Sequence, residues 1–186
     1  MKTYTAHLES VSPYSQSRHY SVDQVPELER ETKAAYEKRT WRHRMHVDGK
    51  GQVFIPPMAF KNCLSEAAKF ISMKVPGNGK ATYTKHFEAG VMITDPVELG
   101  IAADDVAGEW LYLPSDGVRG SGKRVDKCYP VIPQWDGVLT IHVLDELITR
   151  DVLQRHLDDA GRFIGIGRFR PRNNGFYGRF RVTGLD

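Results

Sequence analysis

Cysteine is scarce here: Cys63 and Cys128 are the only two in 186 residues, and they form no CxxC pattern. A disulfide framework and a structural zinc site are both set aside on that count. No apolar run is long enough to cross a bilayer. The opening Met1-Lys-Thr-Tyr-Thr-Ala-His lacks the apolar stretch of a secretory signal. A soluble, cytoplasmic protein with no membrane partner is the expectation. There is no GxxxxGK[ST] either, since Gly120-Ser-Gly-Lys123 lacks both the first glycine spacing and the following hydroxyl residue. No HExxH accompanies His43 and His46. Neither a cofactor nor a metal is expected.

Charge of one sign is missing from two stretches. Phe87 to Val118 holds no Lys or Arg, while Asp95, Glu98, Asp104, Asp105 and Glu109 fall inside it. Ala160 to Leu185 holds no Asp or Glu, but six arginines. Lys38 to Lys50 is also basic, with Asp48 as its one acid. The net charge of +3 hides this segregation. Solvated surfaces usually mix their signs, so the basic C-terminal stretch points to an anionic partner. The competing reading is that these arginines pair with the protein's own acidic segment.

With 17 Gly and 10 Pro the chain is rich in loops, and at 40% apolar and 10% aromatic residues it can still bury a core. Its length fits a single domain over residues 1–186. Residues 3–11 alternate as a strand, with Tyr4, Ala6 and Leu8 on one face. Residues 13–25 read as polar turns. From Pro26 to about Met45 the composition is helical, acids first and bases last, but with few apolar residues; it reads as an insertion over the surface. After a turn at Gly49–Gly51 and a short extended Gln52–Ile55, Pro56-Pro57 opens a helix. Its apolar stripe is Phe60, Cys63, Leu64, Ala67, Phe70 and Ile71. Residues 81–94 look extended, with Gly90 as a bulge. The stretch 95–136 holds extended fragments and a basic loop. Gly137–Leu144 alternates as a strand. Thr149 caps a helix carrying Val152, Leu153, His156, Leu157 and Ala160. Phe176–Thr183 is the last strand.

The order is strand, helix, strand, strand, helix, strand, which is the α+β ferredoxin-like βαββαβ arrangement. Two helices would cover one face of a four-stranded antiparallel sheet, with insertions at about 13–51 and 95–136.

Residues 165–181, Gly-Ile-Gly-Arg-Phe-Arg-Pro-Arg-Asn-Asn-Gly-Phe-Tyr-Gly-Arg-Phe-Arg, follow the second helix. Glycines let the backbone approach a partner closely, and Arg168, Arg170 and Arg172 would meet a phosphate there. In a regular strand Tyr177, Arg179 and Arg181 would share a face, a ring between two guanidinium groups. A Rossmann loop joins a strand to the next helix, whereas this one joins a helix to a strand, so it is no dinucleotide fingerprint.

The pattern Gly-x-Gly-Arg-x-Arg-x-x-x-x-Gly-x-x-Gly-Arg-Phe before a final strand resembles the glycine-rich loop of the RAMP superfamily, the RNA-binding and RNA-processing proteins of CRISPR systems. Val53-Phe-Ile-Pro-Pro-Met-Ala-Phe-Lys-Asn-Cys-Leu64 is similar to that family's lead into its first helix. Ile55, Pro56, Lys61 and Leu64 agree with it, and Pro57 and Asn62 replace its glycines.

The resemblance implies a backbone subunit that binds single-stranded nucleic acid, RNA or DNA, and multimerises head to tail along it. Its two insertions would then bring Trp41, Arg42 and Arg44 from the first, and Arg119, Lys123, Arg124 and Lys127 from the second. His43 and His46, three apart, are the candidates for a metal-independent endoribonuclease, with His19 and Tyr20 as further positions that could serve. Asp23 or Asp48 would serve if cleavage used an aspartate. Binding is favoured over cleavage, because seven histidines supply many accidental candidates. A third reading is a protein–protein inhibitor or assembly factor whose acidic stretch 95–109 docks to a basic partner.

Overall fold

The structure is a computed structural model describing residues 1–118, 120 and 122–186. In chain order its elements are β1 (Lys2–Ser10), β2 (Tyr14–Ser15), α1 (Lys33–Thr40), β3 (Gln52–Ile55), α2 (Pro57–Ile71), α3 (Thr84–Gly90) and β4 (Val91–Met92). There follow β5 (Val97–Ala102), β6 (Ala107–Pro114), β7 (Arg124–Ile132), β8 (Asp136–Val143), α4 (Arg150–Asp159) and β9 (Phe180–Leu185). The main sheet has the order β4-β8-β1-β9, and every pairing in it is antiparallel. With α2 after β1 and α4 between β8 and β9, this is the ferredoxin-like arrangement.

The alternation in β1 and β8 places Ala6, Leu8, Leu139, Ile141 and Val143 in the core. His7, Val138 and Thr183 border the opposite face, which the insertions leave open as a groove of about 570 Å³. A register shift between His7 and Leu8 gives β9 one extra residue, Thr183. The extra residue reverses the parity of the strand, so Phe180 and Leu185 both reach the core.

Phe60, Cys63, Leu64, Ala67 and Ala68 seat α2 on the sheet. Ala68 takes the place expected of Phe70. The Phe70 ring turns outward and lies 5.6 Å from Phe163. The hydroxyl of Thr149 accepts from the Val152 amide at the start of α4, which buries Leu153, His156 and Leu157.

Three segments differ from the sequence reading. Residues 84–90 are helical rather than extended. Tyr83 and Phe87 are buried one helical turn apart, and Phe87 stacks on His156 at 4.1 Å. Gly90 ends that helix instead of forming a bulge; a Cβ there would lie 2.5 Å from Cβ of Asp145. The helix expected over 26–45 is confined to α1, capped by the Thr32 hydroxyl, and a 3-10 turn over Trp41–Arg44. Glu37, Thr40 and Trp41 are its buried residues, and the rest of α1 is exposed or half-buried. The last strand starts at Phe180, so Tyr177 belongs to the preceding loop and does not alternate with Arg179 and Arg181.

The two insertions meet. β2 pairs with β7, which pairs with β6, and β3 pairs with β5. Tyr14, Met45, Val53, Val97 and Val106 join the same buried cluster as the main sheet and its helices. No helix among the described residues is long and apolar enough to cross a membrane.

Candidate nucleic-acid interface

Strand β7 alternates Cys128, Pro130 and Ile132 into the interior with Lys127, Tyr129 and Val131 toward the outside. On that outer face the three basic segments of the sequence converge. From the first insertion comes Arg44, its Cζ 5.1 Å from the centre of the Tyr129 ring and 5.4 Å from Tyr20. From the glycine-rich loop comes Arg168, its Cζ 4.2 Å from the Tyr129 ring. One ring thus meets two guanidinium groups drawn from opposite ends of the chain, an arrangement stabilised by cation–π attraction.

Two carboxylates hold this cluster. Glu37, with a side chain only 3% exposed, lies 2.7 Å from Arg44 Nη1 and 3.1 Å from Lys127 Nζ. Its Oε1 also accepts from the Cys128 amide at 2.8 Å. Burial alone would raise the Glu37 pKa, but the Cys128 amide, Arg44 and Lys127 together hold it below its ordinary value. Glu109 on β6 pairs with Arg168 at 2.8 Å and accepts from the Tyr177 hydroxyl at 2.9 Å. Burial and then that carboxylate raise the Tyr177 pKa. The loop can come this close because Gly167, at φ +74°, sits where a Cβ would lie 2.4 Å from the Ser15 carbonyl. The Arg168 amide donates to that same carbonyl, and its Nε donates to the Ser15 hydroxyl.

Beside Tyr129 a groove of about 330 Å³ runs along the seam of the two insertions. Arg18, Arg44 and Lys127 line it together with Tyr20, Tyr36 and Tyr129, and no acidic side chain does. A second groove of about 360 Å³ adjoins it at Lys127 and is lined by Lys33, Tyr112 and Arg124 together with one acid, Asp126. Alternating rings and cations in a channel suit a chain of bases and phosphates.

No family model matches the sequence, and no curated protein matches it. Solved structures do. A chain of the type III-B Cmr-beta bound to cognate target RNA superposes with a TM-score of 0.60 at 9% identity. The match covers 99% of this chain and 59% of that one. Cmr6 from Pyrococcus furiosus superposes with a TM-score of 0.52 at 12% identity, covering 98% of both chains. The fold is the one these two Cmr chains have.

On this fold the site residues expected from sequence take several positions. Arg168 is almost enclosed, at 12% exposure, and is already paired with Glu109, as the competing reading of the arginines foresaw. Arg170 pairs with Glu66 at 3.2 Å. Arg181 pairs with Glu9 beside the open face of the main sheet, and Arg179 donates to the Arg162 carbonyl. Arg172 is exposed on a 3-10 turn over Pro171–Asn173 and has no polar partner among the described residues.

In the first insertion Trp41 is interior, at 7% exposure, against Gly108, while Arg42 covers its ring at 4.3 Å and faces solvent. Lys123 is exposed and Arg124 donates to the Tyr112 carbonyl, whereas Arg119 lies outside the described residues. His43 is exposed with its ring 5.6 Å from Tyr20. His46 is half-buried against Phe54, and burial followed by Arg18 lowers its pKa. Asp48 caps its own turn, accepting from the Lys50 and Gln52 amides at 2.8 Å, and Asp23 is exposed.

Tyr129, Glu37, Arg18 and Tyr36 escaped the sequence reading. Over 127–132 burial alternates but residue type does not, and Glu37 is one polar residue in a polar helix, so no local sequence signal points to Tyr129 or Glu37.

Proposed function

We propose that this chain binds single-stranded nucleic acid along the seam where its two insertions meet, with the glycine-rich loop continuing the contact. The observation that carries the reading is the groove beside Tyr129, where three tyrosines and three cations stand with no acidic side chain in the lining. Single strands are held by such a combination, with rings for bases and cations for phosphates. The fold shared with a chain solved with target RNA supports the same reading.

Arg18, Arg42, Lys123 and Arg172 are the cations placed to meet phosphates. Arg44 and Lys127, both engaged by Glu37, set the shape of the groove, and Arg168 is held by Glu109 beside it. Several copies bind one strand, head to tail. RNA is the preferred strand, by analogy with the structure holding target RNA.

The test is fluorescence anisotropy with labelled single strands of RNA and DNA across a salt series. Binding should weaken as salt rises, with a slope of about 0.7 per phosphate contact. Arg18→Ala combined with Arg172→Ala should flatten that slope while leaving Tm within about 1 °C, because neither side chain supports the interior. Equal affinity of the double variant and the wild type would discard the groove. The same RNA incubated in EDTA should stay intact. Products ending in 2′,3′-cyclic phosphate that vanish with His43→Ala would replace binding by cleavage.

A further inference from the structure

The glycine-rich loop exposes two large rings that core packing does not explain. Phe169 is 50% exposed and Phe176 is 55% exposed. Both rest on Tyr177, at ring separations of 6.3 Å and 4.5 Å. The Tyr177 hydroxyl is tied to Glu109 and its amide donates to the Phe169 carbonyl, so the middle ring is fixed from both ends.

The backbone beneath is held just as firmly. Gly175 lies against the Phe169 carbonyl, where a Cβ would sit 1.8 Å away. Phe169 itself is at φ +60°, a left-handed conformation that a bulky side chain adopts only against steric resistance. Asn or Gly would take that position with less strain, and strained positions cluster where a side chain is needed for contact. Arg168 stands 5.3 Å from the Phe169 ring but is neutralised by Glu109, so the uncompensated positive charge in this loop is that of exposed Arg172, which has no internal counter-charge among the described residues.

We propose that Phe169 and Phe176 form a base-stacking platform, in which Tyr177 is the fixed central support and Arg172 meets the phosphate of the stacked nucleotide. The inference rests on the strand-binding reading above and adds to it which side chains meet the bases. A nucleobase suits the pair because it brings a flat apolar face and an adjoining anion together, matching rings beside an uncompensated guanidinium.

The experiment compares a labelled oligouridylate with a strand of equal length carrying abasic sites, using the full chain. Wild type should bind the base-bearing strand on the order of tenfold more tightly, as loss of one stacked base predicts. Phe169→Asn and Phe176→Ala should each erase most of that preference without changing the salt slope, and Phe176→Tyr should keep it. Phe169→Asn should also hold or raise Tm, because Asn accepts the left-handed backbone. A fall in Tm for that variant would make the ring structural and overturn the proposal. So would unchanged base preference in both variants, or a shift in strand-free molecular mass, which would assign the rings to a contact between copies. Wild type binding neither strand would remove the strand-binding reading itself. Wild type binding both strands equally would remove only the platform.

Discussion

Glu37 holds its charge where three donors reach it and solvent scarcely does. Replacing it by Gln keeps the shape but leaves Arg44 without its anion and Lys127 relying on solvent. Breaking a buried pair in this way costs about 3 kcal/mol, or about 6–12 °C in Tm for a chain of this size. The same variant should bind single strands more tightly, because two cations at the groove lose their internal partner. Calorimetry and anisotropy on one preparation check both, and a variant that loses stability without gaining affinity would make the network purely structural. Because the folded Glu37 pKa is lowered, its stabilising contribution is complete above its ordinary value near 4.5. That contribution fades as pH falls through the lower folded value.

His156 titrates in a different window. Its Nδ1 donates to the Val152 carbonyl, its Nε2 is buried without a partner, and burial lowers its pKa. The unfolded chain takes up a proton near pH 6.5 while the folded chain resists it. Stability is therefore complete above that pH and falls below it, by about 1.4 kcal/mol per pH unit down to the folded value. Thermal melts between pH 7.5 and pH 5 (assay conditions, roughly one His window) should show this slope in the wild type. The part of it due to this group should be absent in His156→Phe.

At the scale of elements, glycine positions separate structural need from mere flexibility. Gly178 is at φ +72°, and a Cβ there would fall 1.8 Å from the Ile166 carbonyl. Gly178→Ala should destabilise the protein by about 3 kcal/mol or more, and should weaken strand binding by displacing the loop. Gly49→Ala meets nothing within 4 Å and should change stability by less than about 0.5 kcal/mol. Denaturant titration of the two variants side by side measures the contrast.

The elements legible in the sequence were those with an unbroken period: β1 and β8 by alternation, α2 and α4 by their apolar stripes and caps. α3 was hidden because Phe87, Val91 and Ile93 imitate a strand when Tyr83 is left out of the count. The loop glycines were legible as glycines, but what they press against was not. Glu9, Glu66 and Glu109 pair with Arg181, Arg170 and Arg168 from far away in the chain, and no local pattern announces such partners. The basic character of the site was therefore readable, while its division into paired and free cations required the fold.

Across the whole molecule the acidic and basic segments meet at Glu109 and Arg168, while other charges of both segments stay exposed. Asp104 and Asp105 are exposed on a 3-10 turn between β5 and β6, whereas Arg172 and Arg42 are exposed on other segments. Copies arranged head to tail can set one against the other, and such heterologous contacts do not close on themselves. Exposed pairs contribute under about 1 kcal/mol each, so the strand must supply the effective concentration. The bound mass in light scattering should then grow in steps with oligonucleotide length. Asp104→Lys with Asp105→Lys should reduce that cooperativity more than it reduces binding to a strand fitting one copy. A single bound copy on every length of strand would end the assembly proposal and leave binding untouched.

β1 lies in the middle of the main sheet, yet both of its neighbours come late in the chain: Glu9 pairs with Asp136, and Ser10 with Phe180. Closing such distant pairings slows folding, because chain entropy is lost before the pairings compensate for it. During synthesis the first strand is made early and must wait, its apolar Ala6 and Leu8 uncovered and both its edges unpaired, until β8 and then β9 emerge. The time spent in that half-built state, more than the strength of the finished sheet, should govern how much of the protein a cell recovers in active form.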